Sequence, residues 1–312
     1  MQYNKPPLSI NEQARLLLDR GLICDDIVLL EHYLAHIGYY RLSAYWLPFE
    51  QMSHAAQTRN HQFKPDTTFE QVLSLYIFDR KFRLLVIEAI ERIEVAVRAR
   101  WAGAMALRHG SHAHTKSNLF KDPWQHLHDL ARLGKDQKSS SETFIAHYRE
   151  KYQEPFLPPI WAMVETLSLG GLSRWFKACN DNTVKLEVAK AMGMPTIEIL
   201  EQVLHALTPV RNICAHHGRL WNRRFTLAVP NIKRFQGQIL TEANLSNNGS
   251  VQHQPTREIY NFLVVMTNLM LTINPNTSWL ARLIQHIEDL PPKHQPAMGL
   301  PENWRGRAPW SY

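Results

Sequence analysis

The run from Thr68 to about Leu107 constrains this chain more than any other feature, because its apolar side chains recur every three or four positions. Leu75, Phe78, Phe82, Leu85, Ala89, Ile93 and Ala96 form the stripe, and no proline or glycine interrupts it before Gly103. That period is the repeat of an α-helix. At 1.5 Å per residue an unbroken helix of this length spans roughly 55 Å, enough to cross a whole domain. Its other face carries Arg80, Arg83, Glu91, Glu94 and Arg98. Glu94 and Arg98 stand at the i, i+4 spacing that favours an ion pair.

Helical signals dominate elsewhere too. Ser9 and Glu12 have the spacing of a capping box that opens a helix over Asn11 to Asp19, stopped by Gly21. Asp25 or Asp26 caps a second helix, in which Ile27, Leu30, Leu34 and Ile37 repeat before Gly38. An aromatic-dense stretch, YYRLSAYWLPF, covers residues 39–49. Further helices are expected over residues 144–152, 160–169, 172–179, 183–192, 197–207, about 256–272 and 277–289. Pro209 suits the first turn of a separate helix that carries Arg211. Residues 51–67 and the stretch around Asn247 read as polar loops, and 108–140 as a solvated polar insertion. Strand signals are nearly absent, the best being Phe225 to Val229, which ends in proline. The expectation is an all-α, multi-helix bundle forming a single domain over 1–290, with additional N-terminal helices. A Pro-rich tail over 291–312 is expected to lie extended on its surface, pinned by Trp304 and Trp310.

Composition narrows the functional classes. With 45% apolar and 20% charged residues in 312, the chain has the makeup of an ordinary globular protein. A net charge of +7 favours polyanionic partners. Cys24, Cys179 and Cys214 lie far apart without C-x-x-C spacing, so neither a disulfide framework nor a thiolate metal site is indicated. The N-terminus lacks the apolar core of a signal peptide. The greasiest run, Tyr260 to Ile273, is interrupted by Asn261, Thr267 and Asn268 and falls short of the ~20 apolar residues of a membrane span. A cytoplasmic protein without membrane partners is expected.

The chemistry concentrates in RNICAHHGRLWNR, residues 211–223. If Pro209 to Trp221 is helical, Asn212, His216, Arg219 and Arg223 share one stripe, whereas Arg211 stands about 140° from His216. That gap points to a site completed by a second chain. A helix start offers N–H groups and a positive dipole end to phosphate, and Arg211 adds bidentate donors. Histidine takes and gives protons near neutral pH. The combination fits RNA cleavage by the ribose 2′-hydroxyl, with histidine handling protons and arginine neutralising the phosphorane.

Plainer readings stand beside this one. His216 and His217 can be ordinary structural histidines. A metal site through His205, His216 and His217 lacks the i, i+4 histidine pair with its glutamate, and no metal or cofactor is expected. Cys214 can be a nucleophile, but Ile213-Cys-Ala reads as a buried helix face. Arg219, Asn222, Arg223 and Arg224 serve either as RNA-backbone contacts or as a solvated rim.

The same residues resemble the signature of abortive-infection (Abi) proteins of the AbiD/AbiF type, within the HEPN superfamily. The likeness extends in order through RGL (20–22), IGYYRLSAYWLPF (37–49), FDRKFR (78–83), EAIERIEVAVRAR (88–100), LPPIWAMVETLSLGGLSRW (157–175) and MGLPENW (298–304). This resemblance implies an all-helical, metal-independent endoribonuclease that acts as a homodimer and a toxin-like effector of phage defence. Arg211 matches the family arginine, Asn212 the polar residue beside it, and His216 the histidine at R-x4-H spacing. His217 satisfies R-x5-H instead and is the alternative, with His216 preferred because it shares a helical face with Asn212. Glu94 and Arg98 fall in a family-like segment, either bracing Arg211 or forming a plain salt bridge. RNA is the implied partner, together with an inhibitory small RNA or antitoxin as restraint. The alternative is a non-catalytic RNA-binding regulator or antitoxin-like dimer.

Overall fold

The computed structural model describes residues 2, 6–52, 59–245 and 251–311. The chain is mostly helical, with two two-stranded sheets among the described residues. By its contacts it divides into two units, residues 1–82 and 83–312.

In the first unit, α1 (Ile10–Asp19) starts on the expected capping box. The Ser9 amide donates to Glu12 Oε2 at 2.7 Å, and the Glu12 amide donates to Ser9 Oγ at 3.3 Å. α2 (Ile27–Ile37) is capped by Asp26, whose Oδ1 accepts from the Leu29 amide at 2.9 Å, and it stops at Gly38, where φ is +89°. α3 (Tyr39–Trp46) follows directly and buries Leu42, Tyr45 and Trp46. The stretch expected to be a loop instead holds β1 (Glu50–Met52) and β2 (Arg59–Phe63), an antiparallel pair in which Glu50 faces Phe63. Its anchor is the buried Phe63 ring, set edge-on to Trp46. Hydrogen bonding and that one aromatic hold a hairpin that lacks the alternating apolar pattern of a strand.

The long periodic run becomes α4 (Phe69–His109), 41 residues in one helix that passes through Gly103. Val72, Leu75, Phe78 and Phe82 are buried in the first unit. Asp79 is buried with them on the same stripe and accepts from the Tyr45 hydroxyl at 2.6 Å, so the buried carboxylate is matched by a donor. In the second unit Val86, Ile90, Ile93, Val97, Trp101 and Met105 continue the buried face, and Arg83 and Glu94 are buried as well.

The second unit adds α5 (Pro123–Lys138), α6 (Thr143–Lys151), α7 (Ile160–Met163), α8 (Leu169–Ala178), α9 (Asn182–Ala191), α10 (Ile197–Ala215), the hairpin β3 (Thr241–Leu245) and β4 (Val251–Pro255), α11 (Ile259–Ile273) and α12 (Trp279–Glu288). α12 is fixed to α4 by Trp279 Nε1, which donates to the Leu85 carbonyl at 2.7 Å, and by Arg282, which donates to both Glu88 oxygens at 2.9 and 2.6 Å. α11 is buried nearly all round. The Asn261 that interrupts its apolar run is satisfied there: its amide donates to Leu240 O at 2.8 Å and Thr256 O at 3.1 Å and accepts from the Leu240 amide. No helix among the described residues is long and apolar enough to cross a membrane.

Three expectations need correction here. Residues 108–140 are no solvated insertion: Ala113, His114, Phe120, His126 and Leu133 are buried, and Phe120 and His126 pack edge-on to Trp175 of α8. The tail is not extended but folds into short 3₁₀ turns at Pro292–His294, Pro296–Met298 and Trp304–Gly306. Trp304 and Trp310 are buried, with Trp304 Nε1 donating to Gln295 Oε1 at 3.1 Å. Phe225 to Val229 forms no strand, since Phe225 and Val229 are buried individually in an irregular segment. The loop read around Asn247 lies outside the described residues.

Two predictions follow from this packing. Gly299 has φ +78°, and a Cβ there would stand 2.5 Å from Glu258 Cβ. Gly299→Ala is expected to lose about 1–3 kcal/mol of unfolding free energy in urea titrations, whereas Gly306→Ala, with open space around it, stays within about 0.5 kcal/mol. His114 is buried with neither ring nitrogen hydrogen-bonded, and burial, with His112 and His126 beside it, holds its pKa down to about 3. A folded value below the unfolded one favours folding at neutral pH, and that contribution fades as the pH falls from about 6.5 toward 3. At pH 5 the loss is about 2 kcal/mol, and His114→Leu should flatten the pH dependence of urea midpoints between pH 7 and 5.

Candidate active site

The expected break before Arg211 is absent. α10 runs unbroken from Ile197 to Ala215 with Pro209 inside it, so Arg211 and Asn212 lie near the C-terminal end of a long helix and not at the start of a new one. The buried stripe explains why: Val203, Leu207, Val210 and Cys214 continue at steps of four, three and four across the proline. The carbonyl that loses its donor belongs to His205, which is exposed and can be solvated. α8 lies against this helix where Gly170 approaches Thr208, a Cβ at Gly170 standing 3.1 Å from Thr208 Cγ2.

The chemistry changes accordingly. Arg211 sits at the negative end of the helix dipole, which favours a guanidinium, and the first-turn N–H groups expected to cradle a phosphate are not at this end. His216 is the C-cap, and His217 takes the left-handed conformation with φ +57°. The His217 amide donates to Cys214 O at 3.1 Å and the Gly218 amide to Ile213 O at 2.8 Å, the bond pair of a Schellman terminus. A histidine where glycine is preferred costs about 1 kcal/mol. The common helical stripe of Asn212, His216, Arg219 and Arg223 is thereby overturned, because the helix ends at Ala215. Arg219 and Arg223 lie in the irregular chain beyond it, where Arg223 Nε donates to the Arg219 carbonyl at 2.8 Å.

Asn212, His216 and His217 are exposed, and Arg211 is half-buried. Cys214 is buried. After the turn, Leu220 and Trp221 dive into the core, and Trp221 Nε1 donates to the His294 carbonyl at 3.2 Å. Asn222 is exposed with φ +52°. Arg224 lies between Glu242, at 2.7 Å, and Glu258, at 3.9 Å, so its charge is already met by two carboxylates.

Glu94 and Arg98 do reach this region. They form an ion pair on α4, and Glu94 also feels the Arg211 charge. Burial pushes the Glu94 carboxyl up, while Arg98 and Arg211 pull it back. Arg98 further donates to the Leu167 carbonyl, and its Nη1 lies 3.3 Å from Glu165 Oε2. Glu165 was not singled out from the sequence; 67 residues separate it from Arg98, and no local spacing signals the pair. Among the described residues no three His, Cys, Asp or Glu side chains converge as metal ligands.

A mostly helical protein that displays Arg-Asn and His-His at one exposed helix terminus, with the arginine beside a buried Glu–Arg pair, is thus defined by fold and site. The family model described as Abi-like protein matches residues 32–222. The chain belongs to that family, and membership supports a role in abortive infection, the defence against phage. The match contains Glu94, Arg98, Glu165 and Arg211 to Asn222 and ends before Arg223 and Arg224. Neither a curated protein nor a solved structure matches the chain.

The buried ion pair makes a direct prediction. Arg98→Ala strands the Glu94 carboxylate and is expected to cost about 3–5 kcal/mol in equilibrium unfolding. The double variant Glu94→Leu with Arg98→Leu should recover more than half of that loss, because it removes the unpaired charge along with its partner.

Proposed function

We propose that this protein is a metal-independent endoribonuclease of phage defence, of the AbiD/AbiF type within the HEPN superfamily, acting as a cytoplasmic homodimer on RNA. One observation carries the reading: Arg211, Asn212, His216 and His217 fall within seven positions at one partly strained helix end, with the Arg211 charge acting on the buried Glu94–Arg98 pair. Fixed donors and exposed imidazoles at one place are what phosphodiester transfer requires.

In the proposed reaction a neutral imidazole takes the proton of a ribose 2′-hydroxyl, whose oxygen attacks the adjacent phosphorus. Arg211 stabilises the charge on the phosphorane, and Asn212 donates a hydrogen bond to a phosphate oxygen. The P–O5′ bond then breaks as a protonated imidazole gives its proton to the leaving oxygen. The products are a 2′,3′-cyclic phosphate and a 5′-hydroxyl. His216 is the preferred imidazole, as the cap of α10, and His217 the alternative. Arg219, Asn222 and Arg223 contact the RNA backbone in this reading, with a smaller share for the paired Arg224. Arg211 precedes the capping His216 by five positions, about 140° round an ideal helix, so in this reading a second copy completes the site. An inhibitory small RNA or antitoxin restrains the enzyme in uninfected cells.

The test is incubation of purified protein with total tRNA and mRNA in EDTA, followed by end-group analysis. Wild type is expected to yield cyclic phosphate and 5′-hydroxyl ends with a bell-shaped pH profile. Arg211→Ala and His216→Ala should each lose about 10²- to 10⁴-fold in turnover while His216→Ala keeps RNA affinity. Tight EDTA-resistant RNA binding without cleavage would instead identify a non-catalytic regulator.

A further inference from the structure

A cavity of about 330 Å³ opens in the second unit, walled by Phe144, His147 and Tyr148 of α6 and by Pro159, Trp161 and Glu165. It lies at the small end of the range for ligand pockets, room for one flat ring system and little more. Its aromatic walls are open to solvent: Trp161 is 54% exposed and Phe144 38%. The Tyr148 ring is held in place through its hydroxyl, which donates to the Pro155 carbonyl at 2.6 Å and lies 3.3 Å from His112 Nε2.

Glu165 links this cavity to the centre. Its Oε2 faces Arg98 Nη1 at 3.3 Å, and Arg98 pairs with Glu94, which in turn feels Arg211. Arg98 is shared between Glu94 and Glu165, with Arg211 as a second cation near the pair, so the Glu165 charge is partly offset and near an RNA strand its free lone pairs serve as hydrogen-bond acceptors. A carboxylate offers about four lone-pair positions, and one arginine donor leaves room for more. Exposed aromatic rings beside a carboxylate, on a chain of net charge +7, match the needs of an unstacked base with donors on its edge. Among the bases, guanine presents two adjacent N–H donors, at N1 and the 2-amino group, to such an acceptor.

We propose that this cavity is a subsite for one unpaired guanine of single-stranded RNA, with Trp161 and Phe144 stacking the base and Glu165 reading its edge. The proposal rests on RNA being the ligand of the candidate active site. It makes Trp161 and Glu165 determinants of where the strand is held, distinct from the groups that move protons.

The experiment uses the full chain and a ten-nucleotide 2′-O-methyl uridine strand, which has no 2′-hydroxyl nucleophile, carrying guanosine, inosine, uridine or an abasic residue at one position. Fluorescence anisotropy should show wild type binding the guanosine strand about 5- to 100-fold more tightly than the abasic one, with inosine between. Trp161→Ala and Phe144→Ala are expected to erase most of that difference. Glu165→Gln should bind guanosine and uridine strands alike while still preferring both to the abasic strand. Because each result is a ratio within one protein, a general loss of stability does not imitate it. Wild type that fails to distinguish guanosine from abasic, or Trp161→Ala with undiminished discrimination, overturns the proposal. The all-ribose strand separates the two readings. Discriminating binding without cleavage removes the nuclease and leaves the subsite, and cleavage without discrimination does the reverse.

Discussion

The Arg98 guanidinium is the contact on which the second unit most depends. It pairs with Glu94 one turn back on α4, donates to the Leu167 carbonyl ahead of α8, and faces Glu165. A guanidinium offers five donors in a fixed planar fork, so meeting three acceptors sets their positions relative to one another. Glu94 is buried, and a buried carboxylate without a partner is costly, so the pair is specified as strictly as any apolar contact. The electrostatic reach of that pair to Arg211 joins α4, the segment before α8 and the end of α10. Arg98 thus holds α4 to the segment before α8 by a hydrogen bond and ion pairs, and Arg211 near the end of α10 adds its charge to the same pair.

Local signals in the sequence translate faithfully into structure wherever a short-range interaction decides the outcome. The Ser9–Glu12 box, the Asp26 cap and the periodic stripe of α4 each involve partners within four residues, and each forms. Pro209 fails as a signal because its local penalty competes with a stripe that buries Val203, Leu207, Val210 and Cys214. That stripe was visible, and reading it across the proline would have placed Arg211 at a helix end. α5 was hidden for a different reason: its inward positions are His126, Asp129, Leu133 and Gln137, and polar residues at core positions erase the apolar period. The hairpins and the Glu165 contact were illegible because their pairing is between segments that carry no pattern of their own.

Of the candidate site, the sequence carried the identities and not the setting. Arg211, Asn212, His216 and His217 are displayed at the surface or near it, and burial raises the pKa of Glu94 in the buried Glu94–Arg98 pair while the Arg211 charge lowers it. The setting differs in sign: the motif occupies the negative end of a helix dipole. Under the nuclease reading, phosphate affinity then comes from the side chains of Arg211 and Asn212 and not from backbone N–H groups, and a variant lacking Arg211 has no backbone cradle to fall back on.

The terminus itself explains how a short exposed turn can hold reactive geometry. Cys214 is buried immediately before it, and Leu220 and Trp221 immediately after it, so the residues between are suspended from two fixed points. The two Schellman hydrogen bonds determine the path between those points, and the left-handed His217 absorbs the reversal of direction that glycine normally takes. Strain of this kind persists only when the surroundings over-determine it. A glycine at 217 would relieve the strain and lose an imidazole, so the cost is explained if the side chain has work to do there. Under the nuclease reading, His217 belongs to the candidate site beside the capping His216, and the two adjacent imidazoles are there to serve as proton acceptor and proton donor.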